Sequence, residues 1–259
     1  MKKVEDFKVL GLTWLNDKTF IIDLEASGAL SEIKPGNFAE IEVKNSPKVF
    51  LRRPFSVYDA DPVNKTISFF IKVIGEGTRL LGEARKGDIV SMIYPLGNSF
   101  SIPDYHNILI VAGGSGVAPF IYYAKQLAPL KKNLTFLFGG RTKEDIVLVD
   151  RFREYGQVLF TTEDGSMGEK GLVTQHSLFQ KDELPFDHIV TCGPDPMMKA
   201  IAKIAAARGI PCEVSLENTM ACGFGACLCC IVETVNGNKC VCTEGPVFNI
   251  KDLKWQTSQ

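Results

Sequence analysis

The sequence predicts a small antiparallel β-barrel, then a parallel-sheet α/β domain, then a short cysteine-rich C-terminal segment. Three observations carry this prediction. Up to about residue 100 the chain is built of short β-rich runs bounded by Gly, Pro, Asn or Asp. After Ser101, continuous apolar strands alternate with helical stretches, the pattern of a sheet covered on both faces. Finally, six of the eight cysteines fall between Cys222 and Cys242, too concentrated for scattered core thiols. The expected boundaries are 1–101, 102–211 and 212–259.

In the first region, Phe20-Ile-Ile-Asp-Leu, Phe38-Ala-Glu-Ile-Glu-Val, Ile67-Ser-Phe-Phe-Ile-Lys-Val and Asp88-Ile-Val-Ser-Met-Ile read as strands, and only Thr78 to Ala84 reads as helix. Strands this short and this evenly spaced suit a small barrel. Arg52-Arg53-Pro54-Phe55-Ser56-Val57 is expected to leave a strand. A guanidinium fork suits a pyrophosphate, since it donates two parallel hydrogen bonds. A serine two residues beyond a proline can present its hydroxyl to the edge of a flat ring. Gly75-Glu-Gly77-Thr78 then opens the helical stretch, where backbone amides can meet phosphate oxygens and glycine removes the Cβ that would block them.

In the second region, Asn107-Ile-Leu-Ile-Val-Ala is a buried strand and Phe120–Leu127 a helix. Between them runs Ala112-Gly113-Gly114-Ser115-Gly116-Val117-Ala118-Pro119, in the strand–loop–helix context that a phosphate loop requires. Its spacing is not G-x-G-x-x-G. Strands Leu134–Phe138, Gln157–Thr162 and His188–Cys192 follow, with a helix from Pro196 to Arg208. Glu163 and Asp164 favour NAD over NADP, because a carboxylate repels a 2′-phosphate and accepts a bond from a free 2′-hydroxyl, with Arg141 the one candidate for a phosphate.

In the third region, Cys222, Cys227, Cys230 and Cys242 give C-x4-C-x2-C and a distant fourth cysteine, the spacing of plant-type [2Fe–2S] sites. Small residues at Gly223, Gly225 and Ala226 let the backbone wrap closely and aim its N–H groups at the sulfurs. If the chain around Cys242 is extended, Cys240 shares its face and could replace it; Cys242 is preferred because Thr243-Glu-Gly-Pro246 turns the chain immediately afterwards. An all-cysteine zinc site is the rival reading, but such sites usually pair their cysteines as C-x2-4-C twice. Cys192 and Cys212 read as buried small hydrophobes.

A net charge of −1 and the lack of a basic stripe speak against nucleic acid as a partner. No apolar run approaches the ~18–20 residues of a membrane span. The N-terminus, Met1-Lys2-Lys3, has no apolar core behind its charges, so the cysteines are expected to stay reduced in a cytoplasmic protein.

These residues resemble the ferredoxin-reductase superfamily. Arg53-Pro-Phe-Ser56 matches its Arg-x-(Tyr/Phe)-Ser, Gly113-Gly-Ser-Gly-Val-Ala-Pro its Gly-Gly-x-Gly-x-(Ala/Thr)-Pro, and Cys192-Gly193-Pro194 its Cys-Gly-Pro. The resemblance implies an FAD held by Arg53, Pro54, Phe55 and Ser56, lined by the backbone of Phe70, Ile71 and Lys72, with Gly77 and Thr78 at its phosphates. It implies NAD held by Gly113, Gly114, Gly116, Val117, Cys192, Gly193 and Pro194, with Ser56 and Cys192 as catalytic residues.

Ser215-Leu-Glu217-x-x-Met220-x-Cys222-Gly-x-Gly-Ala-Cys227 and Val241-Cys242-x-x-Gly-Pro-Val-Phe248 narrow the resemblance to the electron-transfer subunits of type B dihydroorotate dehydrogenases, over nearly the whole chain. That family implies an FMN-bearing catalytic partner in a two-plus-two heterotetramer, with electrons passing from FMN through [2Fe–2S] and FAD to NAD+ in UMP synthesis. A two-electron hydride carrier and a one-electron cluster need a flavin between them. The runner-up is an NAD(P)H:ferredoxin or sulfide-linked reductase subunit of the same superfamily, in which an Asp replaces the first cysteine. A zinc-stabilised binding module is the reading from a different class.

Overall fold

The computed structural model describes residues 2–44, 46–181 and 183–256. Strands β1 (Lys3–Asn16), β2 (Thr19–Ala26), β3 (Phe38–Ile41), β4 (Arg53–Asp61), β5 (Thr66–Lys72) and β6 (Ile89–Leu96) close into an antiparallel barrel of order β1-β2-β5-β4-β3-β6. The two-residue period of a strand sorts its side chains. Phe20, Ile22 and Leu24 of β2, Ala39 and Ile41 of β3 and Phe69 and Ile71 of β5 fill the interior with Phe7, Met92 and Tyr94. Helix α1 (Glu76–Leu81) follows β5 and contributes Leu81 to this core.

Two local details differ from the sequence expectation. Arg53 does not end a strand but begins β4, where Pro54, without an N–H, is tolerated near the strand start. The helix begins at Glu76 rather than Thr78, because the Thr78 hydroxyl folds back to form the turn that starts it.

The second sheet has the order β10-β9-β8-β7-β11-β12-β15, from β7 (Asn107–Gly113), β8 (Asn133–Gly140), β9 (Gly156–Thr162), β10 (Glu169–Lys170), β11 (His188–Cys192), β12 (Cys212–Ser215) and β15 (Val247–Asn249). It is parallel except for β15, which runs antiparallel to β12. Alternate residues of β7 enter different cores: Leu109 and Val111 pack on one face, Ile108 and Ile110 on the other. This explains the unbroken apolar run. Helices α2 (Phe120–Leu127) and α3 (Val149–Arg153) lie on one side, against Phe136 and Phe138, and α4 (Asp195–Ala207) lies on the other. Strand order reverses between β7 and β11, the crevice where open α/β sheets take their ligands.

The cysteine segment runs from β12 through an irregular loop, the hairpin β13 (Ile231–Thr234) and β14 (Gly237–Cys240), and the single turn α5 (Val241–Glu244) into β15. Cys242 therefore sits in a helical turn, and the extended alternation that would have placed Cys240 on its face does not form. Val241 and Cys242 point into the core shared with Cys230, Leu216 and Phe248. Among the described residues, no helix is long and apolar enough to cross a membrane.

Candidate functional site

At the barrel rim, the two consecutive arginines have different tasks. Arg52 is tied to β6, donating to the Ser91 carbonyl at 2.8 Å and hydroxyl at 3.1 Å. Among the described residues, Arg53 donates only to the neighbouring carbonyls of Leu51 and Arg52, and its Nε lies beside Gly77, where an added Cβ would meet it at 3.4 Å. Arg53, at the start of β4, and the Gly75–Thr78 turn, after β5, thus come together at one end of two neighbouring barrel strands. The Thr78 hydroxyl is committed to the turn, accepting from the N–H groups of Ile74 (2.9 Å) and Gly75 (3.2 Å) and donating to the Gly75 carbonyl. What remains at this end of α1 is backbone N–H, the group a phosphate accepts from. The donor set fits a pyrophosphate.

Ser56 lies opposite Phe38 and Pro54 opposite Glu40 across the β3–β4 pair, so these four side chains share one face. Phe70, Ile71 and Lys72 lie on β5, which packs against the Gly114–Val117 turn. Tyr58 and Phe70 of the barrel share one buried cluster with Val117 and Cys192 of the α/β domain. The Lys72 ammonium meets Asp145 at 2.8 Å across the same boundary.

The two glycine turns of the nicotinamide reading interlock. A Cβ on Gly116 would strike the Cys192 carbonyl at 2.2 Å, and one on Gly193 (φ +148°) would press on Gly113. Gly114 takes φ +57°, the left-handed region. Cys192 is fully buried at the C-terminal end of β11, and Pro194 leads into α4. Arg141, Glu163 and Asp164 cluster at the ends of β8 and β9, with the Asp164 N–H donating to the Arg141 carbonyl and that of Glu163 to Gly140.

A residue not singled out from the sequence completes this end. The Cys192 thiol donates to the Glu217 carboxylate at 3.8 Å. Glu217 is exposed to solvent yet crowded by surrounding protein, and this crowding raises its pKa while the Cys192 contact opposes the rise. Burial, reinforced by the Glu217 charge, pushes the Cys192 thiol well above its usual value, so it stays protonated. Its signal was Ser215-Leu-Glu217, directly after a short strand.

The cysteine loop gathers its sulfurs in two pairs. Cys222 and Cys227 are in side-chain contact. So are Cys230 and Cys242, and the Cys242 N–H lies 3.4 Å from the Cys230 sulfur. Desolvation at Cys222 is outweighed by the N–H groups of Phe224, Cys227 and Ala226 aimed at its sulfur, which draw its pKa down to about 6. Positive φ at Gly223, Gly225 and Leu228 produces this inward aim. Burial and the Cys230 sulfur push Cys242 up to about 12, against an opposing bond from Gly225. Among the described residues, no three Cys, His, Asp or Glu side chains converge on a single-ion position. Two thiol pairs with amides directed at sulfur fit a two-iron core better than one zinc ion. Cys229 is exposed on the loop, and the Cys240 N–H is bonded to Glu244 at 2.9 Å.

One buried group at this junction lacks a partner. Glu40 is 0% exposed and, among the described residues, neither carboxylate oxygen has a hydrogen bond. Desolvation raises its pKa to about 7, the charge of Cys222 adding to the rise while Arg53 and Arg52 oppose it.

Comparison with known proteins agrees with this geometry. Residues 217–254 match the family model for the iron–sulfur cluster binding domain of dihydroorotate dehydrogenase B, and residues 110–203 that for the oxidoreductase NAD-binding domain. The chain is 34% identical to the dihydroorotate dehydrogenase B (NAD(+)) electron transfer subunit of Desulforamulus reducens, covering 99% of this chain and 100% of that one. It is 40% identical to the subunit of the same name from Caldanaerobacter subterraneus subsp. tengcongensis, covering 83% and 84%. Among solved structures, an NADH-dependent reduced ferredoxin-NADP oxidoreductase superposes with a TM-score of 0.85 at 31% identity, covering 97% of this chain and 90% of that one. The ferredoxin reductase of carbazole 1,9a-dioxygenase, at 20% identity and a TM-score of 0.67, shares the fold. With 34% identity over 99% of its length and a matching cluster-binding segment, the chain belongs to the family of dihydroorotate dehydrogenase B (NAD(+)) electron transfer subunits.

Proposed function

We propose that this chain carries electrons from the FMN of a catalytic partner subunit, through a [2Fe–2S] cluster and FAD, to NAD+, in a cytoplasmic two-plus-two assembly that oxidises dihydroorotate for pyrimidine synthesis. The observation that carries this reading is the placement of β4. Its Ser56–Pro54 face meets the cysteine loop through Glu40 and Gly223, while its neighbour β5 meets the nicotinamide turn.

A bound flavin supplies the exchange between hydride and single electrons. The protein's contribution is placement. Arg53 and the amides of the Gly75–Thr78 turn anchor the pyrophosphate, and Ser56 offers its hydroxyl at the ring edge. The Gly113–Val117 turn brings its backbone close to the dinucleotide phosphates. Cys192, held as a thiol and oriented by Glu217, forms the wall of the nicotinamide pocket. Cys222, Cys227, Cys230 and Cys242 hold the cluster, with the Phe224, Ala226 and Cys227 amides directed at sulfur.

The test is anaerobic purification, with visible spectra before and after NADH and analysis for iron, sulfide and zinc. About two irons, one FAD and bleaching by NADH support the reading; zinc without flavin overturns it. The ferredoxin-linked second reading draws on the TM-score of 0.85 to the bifurcating enzyme. Co-expression with an FMN-containing dihydroorotate dehydrogenase subunit separates the two, since only the first reading yields dihydroorotate-dependent NAD+ reduction.

A further inference from the structure

Glu40 is the anomaly of the junction between the barrel and the cysteine loop. The alternation of β3 sends Ala39 and Ile41 into the barrel core and leaves Phe38 and Glu40 on the outer face. Such a position on a surface strand ordinarily faces water. Here the loop closes over it: an ideal Cβ on Gly223 would lie 2.6 Å from the Glu40 Cγ and 3.0 Å from Leu96, and Gly223 takes φ +73°. Both requirements restrict the position to glycine.

A buried carboxyl without a hydrogen bond is costly and rare in a folded protein. The Arg53 and Arg52 charges offset this only in part, because their hydrogen bonds go elsewhere. Arg52 donates to Ser91, and Arg53 donates to Leu51 and Arg52. Nor does packing require a carboxyl, because Phe38 and Leu96 beside it are apolar. The group stands between the strand bearing Ser56 and the residue following Cys222.

We infer that Glu40 is a tuning residue for electron exchange, whose buried carboxyl lowers the reduction potential of the cluster held by the adjacent cysteine loop. When ionised, a water-excluded carboxylate puts a negative charge beside the loop and disfavours addition of an electron, and cluster potentials respond to local charge, hydrogen bonding and exposure. This inference rests on the cofactor assignment proposed above.

The experiment is a redox titration of the purified, cofactor-loaded chain and its Glu40→Gln and Glu40→Leu variants, the cluster followed by EPR and the flavin by absorbance. Glu40→Gln keeps shape and packing, so a change in it reports electrostatics. The expected result is normal iron and FAD content with the cluster more easily reduced. At fixed solution potential its reduced-to-oxidised ratio should rise about tenfold, or about 59 mV for a one-electron couple. An unchanged potential in a fully loaded Glu40→Gln protein overturns the inference. Should Glu40→Leu fail to fold, Glu40→Gln alone decides. Wild-type protein without cluster or flavin would instead refute the cofactor assignment.

Discussion

Asn98 and Val247 exchange a reciprocal pair of hydrogen bonds across 149 residues of chain: the Val247 N–H donates to the Asn98 Oδ1 at 2.9 Å, and the Asn98 Nδ2 donates to the Val247 carbonyl at 2.8 Å. The same amide also donates to the Glu244 carbonyl at 3.0 Å, and the Asn98 N–H donates to Gly245. One side chain after β6 therefore fixes the turn that follows Cys242. This mimics a strand pairing where no strand continues, and it ties the fourth cysteine to the barrel.

Asn98→Ala should cost about 2–3 kcal/mol, the net worth of its three side-chain hydrogen bonds at a partly exposed site. The loss should fall on the cluster segment first. Thermal unfolding followed by cluster absorbance at long wavelength should show an earlier transition than backbone circular dichroism; coincident and unshifted transitions would show that the clamp is unimportant.

Serine substitution should sort the cysteines into two classes. Cys222→Ser, Cys227→Ser, Cys230→Ser and Cys242→Ser should each lose the reduced [2Fe–2S] EPR signal while FAD stays reducible by NADH. Cys229→Ser and Cys240→Ser should keep it, since the thiols in contact are Cys222 with Cys227 and Cys230 with Cys242. A normal signal from Cys242→Ser would transfer the fourth ligand to Cys240.

Arg53→Ala should weaken FAD binding by about 10- to 100-fold, the equivalent of a charge-assisted hydrogen bond worth about 1.5–3 kcal/mol. Arg52→Ala should affect stability more than flavin affinity, because its guanidinium serves β6. Titration of the apoprotein with FAD distinguishes them, and equal affinities would contradict the assignment.

Glu217→Gln leaves the Cys192 thiol in place but removes the charge that orients it. NADH-driven flavin bleaching in a stopped-flow instrument should slow by about tenfold or more, as expected for a displaced reactant, with FAD content unchanged. An unaltered rate would reduce Glu217 to a bystander.

Acid sensitivity should trace in part to Glu213. Burial raises its pKa, but His188, at 3.4 Å, and the Ser101 hydroxyl and N–H, at 2.8 and 3.1 Å, together bring it below the ordinary 4.5. A carboxyl depressed in the folded state stabilises above its unfolded value, and the contribution disappears as pH falls through the folded one. Glu213→Gln should lose about 1 kcal/mol at neutral pH and flatten the stability profile below pH about 4.5. Denaturant midpoints measured between pH 3 and 7 check both.

The sequence by itself determined whatever depends on neighbours along the chain. The C-x4-C-x2-C loop, the Gly113–Gly116 turn and the strand periods of β2, β5 and β7 were legible because ligand spacing, backbone freedom and side-chain alternation are local. Tertiary structure decided which of these local pieces meet. Glu40 reads as a solvent-facing residue of an ordinary strand until the loop around Gly223, more than 180 positions later, is laid over it. Glu217 acquires a role only because β11 and β12 lie side by side and bring Cys192 to it. Asn98 looks like a turn residue, and its four hydrogen bonds to the segment after Cys242 exist only once the barrel and the cysteine segment are packed together. The physical reason is the same in each case: burial and hydrogen-bond partnership are properties of a place in space, which distant parts of the chain build jointly.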